Sequence, residues 1–447
     1  MSHPSATPNG TLAACLAVLC LLLAPGSGVS ASPTTAQASA GGERPVVRKI
    51  DLWSNETGPH LRGSAIAQRR RDPRVPGDME PYFLGPDPMG KPYRQHDFDR
   101  LAAFGANVVT LSHPGPFAEE PPFALDEVAQ ANLDRLIDLA ERADLFVVIS
   151  FRAGPGRSEY TFHPFSGDTW FPKELFNDSV WKDPAAQEAW VEMWRHVAQR
   201  YRDRTSVIAY DPMSEPNSHL VGSGIDDRLE IYDPAEFHRR YGGTSYDWNE
   251  LYPRIVAAVR EVDTDTPVLI SGNGYANMRF LPYVQVIDDP AAVYAVHQYE
   301  PWQFTHQEPH ERIVYPGMVD PGHGAPPFRI DKAYLEGVYA TIDRFRERHG
   351  VRVAVSEFGL KRFAPGGPAY LADQIDIIEA RRMNGFIWHW PTSHEPYERV
   401  VNHHNYLFGT DPESKADVPD SPYEPILRGY WGKNHYRPSN VTFERSR

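Results

Sequence analysis

Eight short apolar runs, separated mostly by amphipathic stretches, restrict this chain more than any other feature. They are Leu61–Ala67, Asn107–Ser112, Leu145–Phe151, Val207–Met213, Pro267–Ser271, Val293–Gln298, Arg352–Ser356 and Gly385–Trp390. Several are almost unbroken in hydrophobic residues, as parallel strands buried on both faces must be. A helical period is clear in Leu125–Ala143, where Leu133, Leu136, Ile137 and Ala140 share one face. It recurs in Asp183–Tyr201, Trp248–Val262, Lys332–His349 and Tyr370–Met383, with Asp183-Pro184 and Asp331 placed as helix caps. Strand and helix alternating eight times predict an α/β chain closed into a (β/α)8 TIM barrel, a single catalytic domain with long loops. A doubly wound open sheet is the alternative. It usually carries a Gly-rich first turn for a nucleotide, and no such turn is present.

The 447 residues suit one barrel with insertions. Residues 1–31 read as a signal peptide: Leu12–Ala24 is apolar but shorter than the ~20 residues that span a bilayer, and Val29-Ser30-Ala31 fits a cleavage site. Residues 32–46 read as a flexible leader, and 47–447 as the barrel with an irregular tail from Pro391 that shows no helical period. The only cysteines, Cys15 and Cys20, fall in the signal segment, so a processed chain has neither disulfides nor thiol chemistry. The expected location is secreted or periplasmic, with no membrane span after processing. A net charge of -14 excludes a nucleic-acid surface, which needs a basic patch. The one dense basic run, Arg69-Arg70-Arg71 with Arg74, reads as a solvated loop.

In a barrel the active site lies where the strands end. Two carboxylates stand there: Glu215 closes Val-Ile-Ala-Tyr-Asp-Pro-Met-Ser-Glu, and Glu357 closes Arg-Val-Ala-Val-Ser-Glu. A charge after a buried strand is costly unless it lines a cleft. The ends of the fourth and seventh strands face each other across the mouth, which can bring two carboxylates to ~5 Å, the spacing of double displacement at a glycosidic bond. The other polar residues ending strands are Ser112 and His113, Arg152, Ser214 and Asn217, Asn273, His297 and Tyr299, and Trp388 with Trp390. No zincin, P-loop or nucleophile-elbow motif occurs, and His306, His310, His403 and His404 lack metal partners, so neither metal nor other cofactor is expected. Asn55-Glu56-Thr57, Asn177-Asp178-Ser179 and Asn440-Val441-Thr442 are glycosylation sequons.

These residues carry a resemblance. Leu61-Arg62-Gly63, Phe104-Gly105-Ala106-Asn107, Tyr210 to Asn217, His297-Gln298-Tyr299, Ser356-Glu357-Phe358-Gly359 and Gly385-Phe386-Ile387-Trp388 resemble glycoside hydrolase family 5, the cellulase family. The resemblance implies a retaining hydrolase acting on a β-linked poly- or oligosaccharide, with Glu215 as acid/base and Glu357 as nucleophile. It also implies that His297 faces the cleft, that the Tyr299 hydroxyl supports Glu357, and that Trp388 stacks beneath a sugar. Trp390 shares that side of the strand by the two-residue period and is an alternative platform. A hydrogen-bonded Glu357 is expected to keep a low pKa, and Glu215 a raised one.

Three departures mark an atypical subfamily. Ser214 stands where the family has the Asn that binds the substrate 2-hydroxyl. Thr110 and Ser112 stand in place of a strand-2 Arg and Pro, and Arg152 follows strand 3 where a His is common. Arg152 is therefore expected to supply the missing positive charge, while Arg157 reads as a loop residue. Two other readings stay open: a carbohydrate-binding degenerate barrel without catalysis, and a transglycosylase. The sugar, endo or exo action, and the oligomeric state are not legible. The insertions Ser218–Tyr246 and Tyr299–Ile330 are candidates for closing one end of a groove.

Overall fold

The computed structural model describes residues 44–75, 88–90, 92–163, 171–223, 227–322, 324–393 and 403–444. The signal-peptide reading lies outside them, as does the leader up to residue 43. Eight parallel strands close a barrel: β1 Arg62–Ala67, β2 Val108–His113, β3 Phe146–Phe151, β4 Val207–Asp211, β5 Val268–Ser271, β6 Ala292–Gln298, β7 Val353–Phe358 and β8 Gly385–Ile387. Closure runs through β8 and β1, with Gly385 beside Arg62 and Ile387 beside Ser64. Gly63 permits the next contact. A Cβ there would lie 1.9 Å from the Val108 carbonyl oxygen, so only glycine lets β1 and β2 approach.

The helices form where sequence caps them. Asp126 accepts hydrogen bonds from the amides of Val128 and Ala129 to open α2 (Glu127–Arg142), whose face Leu133, Leu136, Ile137 and Ala140 is buried. Asp183 with Pro184 opens α3 (Pro184–Tyr201). Asp331 caps α7 (Lys332–His349), which ends at Gly350 in the left-handed conformation. The remaining helices are α1 Gln95–Ala103, α4 Pro234–Tyr241, α5 Trp248–Arg260, α6 Trp302–Thr305, α8 Gly367–Ala380 and α9 Glu424–Trp431. Between β5 and β6 there is only the 3-10 turn Leu281–Tyr283, so that crossover carries no α-helix.

Alternation along each strand divides the core in two. Outward side chains pack against the helices. Inward ones near the strand starts, among them Leu61, Val108, Phe146, Val148, Leu269, Val293, Ala354 and Phe386, fill the lower barrel. Ile50, Leu52, Trp53 and Val441 join this inner cluster and plug the barrel floor. The Trp53 indole donates to the Ile208 carbonyl at 3.2 Å, and Val46–Val47 pairs in parallel with Thr442–Phe443. The tail is mostly loop, but it also supplies α9, too short to show a period. Trp431 of α9 packs on Phe104 and Trp390.

Candidate active site

With hydrophobic residues filling the floor, inward polar residues are left to the mouth. Continuing the two-residue period from Ala295 brings His297 and then Tyr299 inward, and from Val148 and Ser150 it brings Arg152. His297 Nδ1 lies 2.9 Å from Glu215 Oε1 and 3.4 Å from Glu357 Oε2. The Tyr299 hydroxyl donates to Glu357 Oε2 at 2.9 Å. One oxygen of each glutamate and a ring nitrogen of His297 all lie within 4.8 Å of one another. Glu357 is buried, while Glu215 keeps a little exposure at the cleft.

Charge is dense here. Burial alone would strip the proton from His297, but Glu357 and Glu215 outweigh it, with help from Asp211, and push its pKa up to about 9. Burial, reinforced by Glu215, pushes Glu357 up to about 7 against the pull of His297. Burial also works against the charged form of Glu215, yet the hydrogen bond and charge of His297, with Arg152 and Arg157, hold it below the usual carboxylate value. This reverses the order expected from sequence. The reason is geometric: His297 sits nearer Glu215 and so favours the charged form of Glu215 over that of Glu357. By donor count Glu215, His297 and Glu357 would suit a divalent cation. Both carboxylates, however, already accept hydrogen bonds and already feel the Arg152 charge. The trio is built for proton chemistry.

Arg152 is buried within electrostatic reach of both glutamates. Its Nε lies 3.5 Å from Glu159, which also binds Arg69 at 3.1 Å, so one buried carboxylate joins two guanidinium groups. The Arg152 guanidinium lies 3.7 Å from the Phe162 ring centroid and 5.5 Å from that of Trp388, with Arg69 at 5.8 Å from Trp388. Trp388, partly exposed just beyond β8, therefore lies beside Arg152 and Arg69.

Other expected residues stand elsewhere. Trp390 points away from the mouth: it packs on Phe104 and Trp431, and its indole donates to the Asp97 carbonyl at 2.8 Å. The strand ends at Ile387, so the two-residue period does not carry from Trp388 to Trp390. His113 is buried beside Asn132 of α2 and Phe151, where burial lowers its pKa to about 3. Asn217 is engaged within the loops, donating to the Thr161 carbonyl at 3.1 Å. Ser214 is buried, and its amide donates to Phe151.

One sequence reading needs correction, and a second needs an addition. The basic run is not uniformly solvated: Arg69 is buried against Glu159, Arg70 pairs with Asp126, and the well-exposed Arg74 pairs with Asp72. Arg157 is in a loop but is fully buried. Arg69 had a usable signal, because it lies two residues past Ala67 on the inward period of β1. Glu159, Phe162 and Arg157 had none, because the loop after β3 follows no period.

A closed barrel with two glutamates meeting at its mouth from β4 and β7 defines the class of barrel glycoside hydrolases. The comparison with known families agrees: the model of the cellulases, glycosyl hydrolase family 5, matches residues 82–393, and the chain belongs to this family. Endoglucanase C of Acetivibrio thermocellus is 24% identical over 325 residues, 66% of this chain and 83% of that protein. Cellodextrinase A of Ruminococcus flavefaciens is 20% identical over 275 residues, covering 60% and 68%. Among solved structures, endoglucanase Cel5A of Thermotoga maritima superposes with a TM-score of 0.54 at 18% identity, covering 77% of this chain and 93% of that one. The protein is thus a glycoside hydrolase.

Proposed function

We propose that this enzyme cleaves a β-linked glucan or glucan oligosaccharide by double displacement with retention, with Glu357 as nucleophile and Glu215 as acid/base. The observation that carries this reading is the approach of the two carboxylates to within 4.8 Å. Retaining enzymes place theirs ~5–5.5 Å apart, whereas inverting enzymes hold a water in a wider gap. The substrate class is carried over from relatives named as endoglucanases and a cellodextrinase.

The first step needs Glu357 charged and Glu215 protonated. The pair holds one proton below a pH of about 7, and that proton serves the first step when it lies on Glu215. A Glu357 oxygen then attacks the anomeric carbon, the C–O bond to the leaving sugar breaks, and its oxygen takes the proton from Glu215. In the second step Glu215 removes a proton from water, whose oxygen attacks the same carbon and releases Glu357. Arg152 and Tyr299 favour the charged nucleophile. In this reading Trp388 offers a flat face to the sugar at the cleavage point. His297, between the two carboxylates, is placed to meet a sugar hydroxyl there. The chain is exported in this proposal, its first 31 residues being removed.

The test is sugar release from β-glucans, β-mannans and aryl β-glycosides, with the first-formed anomer read by NMR. The β-anomer should appear first. Glu357→Ala should lose at least about 10³-fold in rate, roughly 4 kcal/mol of transition-state stabilisation. An α-anomer product or an active Glu357→Ala enzyme would overturn the mechanism. Failure on every sugar would favour the degenerate binding barrel, and oligosaccharides longer than the substrate would favour transglycosylation.

A further inference from the structure

Glu215 has a backbone conformation that its sequence opposes. Its φ is 55°, in the left-handed region, where a side chain with a Cβ is strained. The next residue is Pro216, and a residue before proline is steered to extended backbone. Such strain persists only where surrounding structure over-determines it. The surroundings here converge on one side chain. Arg157 Nη1 donates to the Ser214 carbonyl at 2.9 Å, and Nη2 donates to the Glu215 carbonyl at 2.7 Å, with Asn217 Oδ1 at 3.5 Å. The planar guanidinium thus bridges two successive carbonyls, a fork that a lysine ammonium cannot match.

Arg157 is itself held rigidly. Its backbone closes a tight turn with Gly154, by hydrogen bonds of 2.8 and 2.9 Å in the two directions. The Trp190 indole of α3 donates to the Pro155 carbonyl within that turn at 2.7 Å. The guanidinium lies 4.8 Å from the Phe162 ring centroid, and no solvent reaches the residue. A charge buried this way is expensive unless it is hydrogen-bonded, and here backbone oxygens rather than a carboxylate provide the bonds.

We infer that Arg157 is a positioning residue, a clamp on the Ser214 and Glu215 carbonyls that keeps Glu215 in its left-handed conformation and so aims its carboxyl at the leaving oxygen. This rests on the assignment of Glu215 as acid/base. It predicts a specific defect in the first step, which kcat/KM reports, because there only a leaving group that needs a proton from Glu215 depends on the clamp. General acid catalysis contributes ~10²–10⁴-fold.

The experiment compares Arg157→Lys and Arg157→Ala with the wild type on two substrates. One is a β-glucan oligosaccharide, whose leaving sugar needs protonation; the other is a 2,4-dinitrophenyl β-glycoside, whose leaving group does not. The clamp predicts that kcat/KM falls about 100-fold or more on the oligosaccharide and less than about tenfold on the aryl glycoside. Millimolar guanidinium should restore part of the Arg157→Ala loss. Equal losses on both substrates, or a Lys variant that matches wild type, would overturn it. Should Arg157→Ala not fold, the Lys variant still decides. A second readout does not need activity: carbon-13 NMR of glutamate side chains, with Glu215 assigned through Glu215→Gln. In Arg157→Lys the Glu215 titration should move upward as it leaves His297; an unmoved titration would also overturn the clamp. A wild type inactive on every glycoside would defeat the acid/base assignment, while the NMR result would still stand for or against the clamp.

Discussion

His297 lies between two carboxylates that cannot comfortably both be charged, and it decides which is ionised in the free site. With His297 at about 9 and Glu357 at about 7, the alkaline limb of activity belongs to the carboxyl pair, not to the imidazole. Raising the pH through about 7 removes the one proton that Glu215 must deliver. Removing a nearby positive charge disfavours the carboxylate and raises that pKa. His297→Gln and Arg152→Ala should therefore each move the alkaline limb of kcat/KM to higher pH. Arg152→Ala should also lower kcat about 100-fold, since its charge favours the attacking carboxylate. A pH–rate series on a β-glucan oligosaccharide, whose leaving sugar needs the proton, checks both, and unchanged turnover in Arg152→Ala would remove its assigned role. This role was read from the sequence as a replacement for the absent strand-2 arginine. The partner that makes it affordable, Glu159 shared with Arg69, was not legible.

At the scale of elements, the strand pattern does the positioning. The inward period on β6 carries His297 and Tyr299 to the same mouth that Glu357 reaches from β7. A register shift between Val355 and Glu357 re-aims the glutamate inward, opposite His297. The same barrel depends on close approach at its seam. In Gly63→Ala the new methyl would meet the rigid Val108 carbonyl, so β1 must move. We expect a loss of about 3 kcal/mol or more, at the upper end of overpacking costs, seen as a lower denaturation midpoint in urea. An unchanged midpoint would mean that β1 and β2 can separate without cost. The two insertions also have form. The first holds the Leu220–Ser223 and Asp227–Glu230 hairpin and α4. The second holds α6, where Trp302 is 61% exposed and stacks on His306, itself 5.2 Å from Tyr299.

For the whole molecule, the barrel is shut at one end and open at the other. The floor is sealed by the segment before β1 and the last residues described, which meet as Val46–Val47 and Thr442–Phe443. Trp53 is the largest side chain of that plug, fully buried and hydrogen-bonded to β4. Trp53→Ala should cost about 3–5 kcal/mol, read from urea or thermal unfolding, while leaving KM near wild type because the site lies at the opposite end. A large change in KM at unchanged stability would contradict this separation. Among the described residues, no helix is long and apolar enough to cross a membrane. The sequence by itself determined the eight strands, the main helices and their caps, the family, and the strand ends at which Glu215 and Glu357 stand. Each of these is written in local periods, or in short motifs at strand ends. Only the tertiary structure decided that Arg157 and Glu159 are buried against the site, that Trp390 belongs to the outer core, and that His297 favours ionised Glu215 over Glu357. Those outcomes depend on distances between side chains far apart in sequence, and on burial that no local pattern encodes.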